Sequence, residues 1–157
     1  MTIRIISIGK TNMDFVEKAL QVYLNRLKHY HKVSWEELAD VKKIDRTNVE
    51  LLKQKEGELI LSKIEPTETL VLLDENGKEF SSVKFADWVN QKLLYASGNL
   101  VFVIGGAYGF SNMVYERANE KISLSQMTFS HQIIRSIFAE QLYRACTIMK
   151  GEPYHHA

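Results

Sequence analysis

The chain has 157 residues, of which 25% are charged, with a formal net charge of +1 and one cysteine, Cys146. This length favours a single domain over residues 1–157. One cysteine excludes an internal disulfide and offers no pair of thiolates to a metal. We find no secretory leader and no apolar run long enough to cross a membrane, so we expect a cytoplasmic protein. A near-neutral chain that binds RNA needs positive charge that is focused locally or supplied by two subunits.

Apolar periodicity and turn signals divide the chain into alternating strands and helices. The first half is predicted to contain a strand (2–8), a helix capped by Thr11 or Asn12 that ends near 29–32, a strand (33–38), a polar loop (39–46) and a helix (48–64). A strand (69–73), a turn (74–78) and a helix (81–96) capped by Ser81 or Ser82 follow. The rest is predicted as a strand (100–104), a short helix (112–119), a strand-like start at 122 that becomes a loop by 129, and a last helix (131–149). This order predicts an α/β fold with a mainly parallel sheet of about five strands and helices on both faces.

The segment 99–111 is the most informative stretch. Residues 100–104 are all apolar and favour a strand covered on both faces. Gly105, Gly106 and Gly109 follow, so the backbone can take positive φ angles and a ligand can approach it closely. Ser111 is suited to cap the next helix. Ligands of open α/β sheets bind beyond the carboxyl ends of strands, but a tight turn without a ligand fits the same residues.

Two common phosphate and dinucleotide motifs do not match this turn. A P-loop ends in Gly-Lys-Ser/Thr, whereas Gly109 is followed by Phe110 and Ser111. A dinucleotide fingerprint follows the first strand, which here ends in Ile8-Gly9-Lys10 without further glycines. Neither ATP nor NAD is therefore favoured.

Polar residues are concentrated again in the last third of the chain. Several lie in a segment with apolar neighbours: Ser123, Ser125, Gln126, Thr128 and Ser130. His131 and Arg135 follow with i, i+4 spacing, as do Glu140 and Arg144, so each pair shares a helix face. An exposed ion pair is one interpretation of Glu140 and Arg144. No spacing rule supports a metal site formed by His131, His155 and His156, so we expect no metal.

An ordered set of motifs carries a family resemblance over the whole chain. The motifs are Leu73-Asp74, FVIGGAYGF at 102–110, LSQMTFSHQ at 124–132, EQLYR at 140–144 and GEPYH at 151–155. Together they resemble the ribosomal large subunit methyltransferase H family of the SPOUT class. The resemblance implies methylation of N3 of a pseudouridine in 23S ribosomal RNA with S-adenosylmethionine. It also implies a C-terminal trefoil knot and a homodimer whose cofactor pockets lie near the subunit interface.

The resemblance implies two groups of site residues. The cofactor pocket would use Leu73, Gly105, Leu124, Ser125, Gln126, Met127, Thr128 and Phe129. The catalytic group would comprise Arg144, His155, Tyr154, Glu140, His131 and Arg135. As a hypothesis for the mechanism, Glu140 or one of His131, His155 and His156 would take the imide proton. Arg135 and Arg144 would stabilise negative charge or hold phosphate, and Tyr154 would stack on the nucleobase. The chain departs from the family pattern at Ser130, where proline is common, and in its final residues.

The modest net charge favours an assembled ribosome over naked RNA as the substrate. Two alternatives stay open at this point. Other SPOUT proteins methylate the ribose 2′-oxygen of tRNA, and a chain of this fold can also serve as a non-catalytic RNA-binding or ribosome-assembly module. Cofactor binding separates the module from an enzyme, and the position of the methyl group separates the two enzymes.

Overall fold

The computed structural model describes residues 1–41, 45 and 47–156, which form a five-stranded, wholly parallel sheet with the order β2-β1-β4-β3-β5. The strands are β1 (Ile3–Ile8), β2 (Val33–Leu38), β3 (Thr69–Glu79), β4 (Leu100–Ile104) and β5 (Glu120–Ser123). The helices are α1 (Asp14–Leu27), α2 (Val49–Leu61), α3 (Ser82–Tyr95), α4 (Asn112–Arg117) and α5 (Ile133–Met149). The predicted α/β class is confirmed, while part of the predicted loop at 39–46 lies outside the described residues.

Helices cover both faces of the sheet, as predicted. One face packs against α1, α3 and α5, where the rings of Phe102 and Phe138 lie 4.9 Å apart between centroids. The other face packs against α2 and α4, and Val103 lies in that core. Adjacent strand residues point to opposite faces, so a central strand covered on both sides has no polar side. All five residues of β4 are accordingly buried.

The third strand is longer than predicted, because the expected turn at 74–78 is part of β3. The pairing with β5 shifts register here, so that Ile122 is opposite both Leu73 and Lys78. The backbone N–H of Asn76 donates to Asp74 Oδ1 at 2.8 Å, which is the local bond that turn residues favour. The turn signal thus produces an irregularity within a strand, and the strand continues past it because β5 supplies backbone partners.

Helix starts follow the predicted capping in one case and depart from it in two. Ser81 accepts from Lys84 N, as predicted, and Asn48, for which no capping was predicted, accepts from Leu51 N. Helix α1 begins after Met13 and has no side-chain cap, so the predicted capping by Thr11 or Asn12 is wrong. Ser111 precedes α4 but does not cap it, because its Oγ is packed against Gly57 of α2.

Helix α5 carries the single cysteine into the core. Cys146 is 1% exposed, and burial raises the pKa of its thiol to about 12. The thiol is therefore protonated and inert at neutral pH, as the apolar pattern of this helix predicts. None of the helices in the described part of the chain is long and apolar enough to cross a membrane.

We predict that Gly77→Ala destabilises the protein by about 1–3 kcal/mol. A Cβ at this position would lie 2.6 Å from the backbone N and C of Ile122, so strands β3 and β5 would have to separate. Lys78→Ala, at the exposed next position, is the matched control. Denaturant unfolding measures both variants, and equal stabilities would contradict the close approach of the two strands.

Candidate functional site

A cavity of about 420 Å³ opens at the carboxyl ends of β3, β4 and β5. Its walls are the extension of β3, the glycine turn after β4 and the loop after β5. The residues lining these walls include Leu73, Asp74, Glu75, Gly105, Gly106, Phe110, Tyr115, Leu124, Ser125, Met127, Thr128, Phe129, His131 and Ile134. All the predicted cofactor residues therefore line one cavity except Gln126, which is exposed and lies outside the lining.

The glycine turn needs its glycines for different reasons. Gly109 has a φ of +82°, where a side chain would be strained, and its N–H donates to Gly106 O. A Cβ on Gly105 would lie 3.0 Å from the ring of Phe110, which is buried and forms a wall of the cavity. A Cβ on Gly106 would lie 2.5 Å from the carboxylate of Glu56, a buried residue of α2. Two of the three glycines thus serve close packing, and one serves positive φ.

Polar side chains organise the loop after β5. Ser123 Oγ donates to Ser125 O at 2.8 Å, and Ser125 Oγ accepts from Met127 N at 2.9 Å. Thr128 Oγ1 donates to Glu75 Oε2 at 2.7 Å and so joins the loop to β3. Ser130, the departure from the family's proline, accepts from Ile133 N at 3.1 Å and starts α5. Side-chain hydrogen bonds account for the serines and the threonine of this segment, whereas Gln126 is exposed.

The cavity is acidic. Asp74 and Glu75 line it, and no lysine or arginine is among its described lining residues. Asp74 Oδ2 accepts from Tyr115 Oη; burial and this carboxylate raise the pKa of Tyr115. Burial, followed by the charge of Arg135, lowers the pKa of His131, so its imidazole is neutral at pH 7. Acidic walls and a neutral histidine suit a ligand that carries positive charge.

Four of the predicted catalytic residues form a second group, which we call the Arg144 cluster: Glu140, Arg144, Tyr154 and His155. Arg144 Nη2 donates to Glu140 Oε1 at 2.6 Å, and Tyr154 Oη donates to the same oxygen at 3.0 Å. The guanidinium carbon lies 4.8 Å from the centre of the Tyr154 ring. Helix α5 thereby holds the tail at 151–156 through side-chain bonds.

The hydrogen bonds of this cluster define the state of its members. Arg144 Nη1 lies 3.0 Å from His155 Nδ1. A guanidinium can only donate, so Nδ1 is the acceptor in this hydrogen bond. Glu140 also accepts from Gln141, which leaves its carboxylate bound by three donors. Burial, followed by the bond to Glu140, raises the pKa of Tyr154, which stays protonated.

The structure does not bring the cavity and the Arg144 cluster together within one chain. Ile134 lines the cavity at the start of α5, and Arg144 follows ten residues later, about 15 Å along the helix axis. His131 belongs with the cavity, whereas Tyr154 and His155 belong with the cluster. The residues expected to form one active site are therefore divided between two places.

Arg135 occupies a position that does not fit its expected contact with substrate or phosphate. Its side chain is 0% exposed and donates to the carbonyl oxygens of Ile8, Gly9 and His131 at 2.7–3.0 Å. A fourth bond joins it to Thr11 Oγ1. These bonds fix the start of α5 to the carboxyl end of β1. Arg135 is a structural residue that supports the site from beneath.

The sequence did not point to every residue of the cavity. Asp74 and Glu75 directly follow an apolar strand, so their location at its carboxyl end was a usable signal. Tyr115 had no such signal, because it reaches the cavity from a helix on the other face of the sheet.

Comparisons with known proteins show which family the chain resembles over its length. Residues 1–155 match the family model described as "Predicted SPOUT methyltransferase". The chain is 51% identical over 156 residues to a protein of Christiangramia forsetii and 54% identical to one of Flavobacterium psychrophilum. Each alignment covers 99% of both chains, and both relatives are named "Ribosomal RNA large subunit methyltransferase H". Among the described residues, no three His, Cys, Asp or Glu side chains form a group that could hold a metal.

We predict that Arg135→Met lowers the free energy of unfolding by about 3 kcal/mol or more, because buried carbonyl groups lose their donors. Arg144→Met is the matched control: its side chain is 25% exposed, and we expect a loss of only about 1 kcal/mol. Urea unfolding followed by circular dichroism measures both. Similar losses in the two variants would contradict the structural role of Arg135.

Proposed function

The chain belongs to the SPOUT methyltransferase family, and from that premise we propose that it methylates N3 of a pseudouridine in 23S ribosomal RNA with S-adenosylmethionine. The observation that carries the proposal is the acidic, glycine-walled cavity beyond the ends of β3, β4 and β5. The names of the relatives support ribosomal RNA of the large subunit as the substrate. The ordered motifs, from Leu73-Asp74 to Tyr154-His155, support the target atom through the family resemblance.

The residues that line the cavity suit S-adenosylmethionine in their chemistry. Leu73, Leu124 and Phe129 offer apolar surface to an adenine ring, and the loop backbone at 124–129 offers N–H and C=O groups to its polar edge. Asp74 and Glu75 favour a positively charged ligand. When bound, the cofactor supplies an electrophilic methyl group on a sulfonium.

We propose that the active site is completed across a homodimer, with the cavity of one protomer facing the Arg144 cluster of its partner. The separation of about 15 Å along α5 supports this arrangement, because one chain cannot bring both groups to the same nucleobase. Most of the rate enhancement would then come from holding the nucleobase in line with the methyl group.

The cluster residues have distinct roles in this proposal. Arg144 stabilises the negative charge that develops on the imide as N3 loses its proton. Glu140 holds Arg144 and Tyr154 in place, since three donors already occupy its carboxylate. Tyr154 stacks on the nucleobase. His131 is neutral at pH 7 and lines the cavity, so we assign it the acceptance of the N3 proton.

The assembled ribosome is the proposed form of the substrate, which sets the cytoplasm as the site of action. A net charge of +1 is small for a protein that binds free RNA by charge alone. The trefoil knot implied by the resemblance stays a prediction. It would form where the loop at 124–131 and the start of α5 meet the end of β1.

The single experiment that tests the function is mass-spectrometric mapping of the methyl group. Ribosomes from a strain lacking this protein are incubated with it and S-adenosylmethionine, and the 23S RNA is digested and sequenced by mass. We expect one added methyl on the base of a pseudouridine. A methyl on a ribose, or on tRNA offered in parallel, would contradict the proposal, as would the absence of cofactor binding by calorimetry.

Mixing two inactive variants tests the composite site. Gly105→Ala should weaken cofactor binding by moving Phe110 into the cavity, and Arg144→Met should leave cofactor binding intact but abolish methylation. After subunit exchange, random pairing leaves about a quarter of the sites complete, so methylation should return to about that level. Calorimetry and sedimentation check that the mixed proteins are folded dimers. If such mixtures stay inactive, the whole active site lies within one chain.

A further inference from the structure

We propose that Arg26 of α1 binds a phosphate of the substrate RNA beside the Arg144 cluster. This inference rests on the proposed function, which makes RNA the partner. The chain as a whole is nearly neutral, so a contact with RNA requires positive charge at a defined place. The C-terminal ends of α1 and α5 supply such a place.

Arg26 is held by aromatic rings. It is an exposed residue in the last turn of α1, and its guanidinium carbon lies 5.4 Å from the ring centre of Tyr143 and 5.6 Å from that of Tyr23. Cation–π contacts of this kind orient a guanidinium without using its N–H groups. A planar, oriented guanidinium can donate two parallel hydrogen bonds to one phosphate.

The same aromatic group leads directly to the proposed catalytic residues. The rings of Tyr143 and Tyr154 meet edge to face, with centroids 4.7 Å apart. The guanidinium of Arg144 also lies over the ring of Tyr154. Arg26 and Arg144 are thus the two ends of one continuous series of ring contacts. A nucleotide placed at Tyr154 has its backbone within reach of this surface.

The two arginines differ in the charge that they offer to an external anion. Arg144 is hydrogen-bonded to Glu140, which compensates its charge. Arg26 has no carboxylate within 4.0 Å in the part of the chain that the structure describes. Arg26 therefore offers a charge that no neighbouring carboxylate compensates, whereas Arg144 shares its charge between Glu140 and the nucleobase.

Other charges near the ends of α1 and α5 are mainly positive. Burial, followed by the charges of Lys150 and of the N-terminal ammonium, lowers the pKa of His31. Two carboxylates of this region are already hydrogen-bonded: Glu152 accepts from Tyr30 Oη at 2.5 Å, and Glu140 accepts from Arg144. Arg26, Lys150 and the N-terminal ammonium therefore add positive charge near the ends of the two helices, where a polyanion would make contact.

Binding to ribosomes at several salt concentrations tests the proposal. Ribosomes lacking the modification are pelleted with wild-type protein, Arg26→Gln, Arg26→Lys and Lys55→Gln, an exposed control on α2 across the sheet. For Arg26→Gln we expect affinity to fall about tenfold or more. We also expect the slope of log affinity against log salt concentration to decrease by about one. Arg26→Lys should keep the slope, and Lys55→Gln should behave as wild type.

Two outcomes would overturn the proposal. One is an unchanged salt slope and affinity in Arg26→Gln. The other is a loss of dimer mass in sedimentation equilibrium, which would assign Arg26 to a subunit contact instead. The pelleting assay needs no methyl transfer, so it tests Arg26 even if mapping of the methyl group refutes the proposed target. Calorimetry with S-adenosylmethionine should give the same affinity for all four proteins.

Discussion

The buried guanidinium of Arg135 is the interaction on which both functional groups depend. It joins the carbonyl groups at the end of β1 to the first turn of α5, two elements that are far apart in the sequence. The loop that walls the cavity leads into this turn, and the Arg144 cluster lies further along the same helix. A buried charge without partners is costly, so the four hydrogen bonds leave this turn little freedom. The position of α5 follows from Arg135, and the positions of the cavity loop and the cluster follow from α5.

The sheet provides the second constraint. Strands β3, β4 and β5 are neighbours and parallel, so their carboxyl ends lie at one edge and their following segments converge there. The irregular extension of β3 carries Asp74 and Glu75 at that edge, where both line the cavity. Negative charge at the cavity and positive charge at the ends of α1 and α5 are then separated along α5. A protein with almost no net charge can in this way present two surfaces of opposite sign.

Much of the fold could be predicted from local patterns. The run Leu100–Ile104 is apolar throughout because both of its faces are buried, and such a run identifies a central strand without further information. The prediction of a turn at 74–78 is wrong, since pairing with β5 overrides the turn signal Asn76-Gly77. The prediction that Ser111 caps α4 is wrong for a similar reason, because packing of α2 against α4 places its hydroxyl group against Gly57. In each case, contact with a segment distant in the sequence overrides the local structural signal.

The candidate site likewise has a part that the sequence predicts and a part that it does not. The cavity residues are close to one another in motifs or follow strand ends, so most of them could be listed in advance. Arg135 and Arg144 have the same residue type and lie on one helix, yet one is buried beneath β1 and the other reaches the tail. Their helical positions differ by nine residues, which is two and a half turns and therefore places them on opposite faces. Only the packing of α5 shows which face meets the core.

The hydrogen bond between Thr128 and Glu75 has a consequence for how a ligand enters. It joins the loop at 124–129 to β3 across the mouth of the cavity, and both residues are exposed. An exposed hydrogen bond contributes about 1 kcal/mol, so water replaces it readily and the two walls can part without any change in the sheet. Association of a small ligand would then be limited by diffusion to the mouth rather than by a slow opening step.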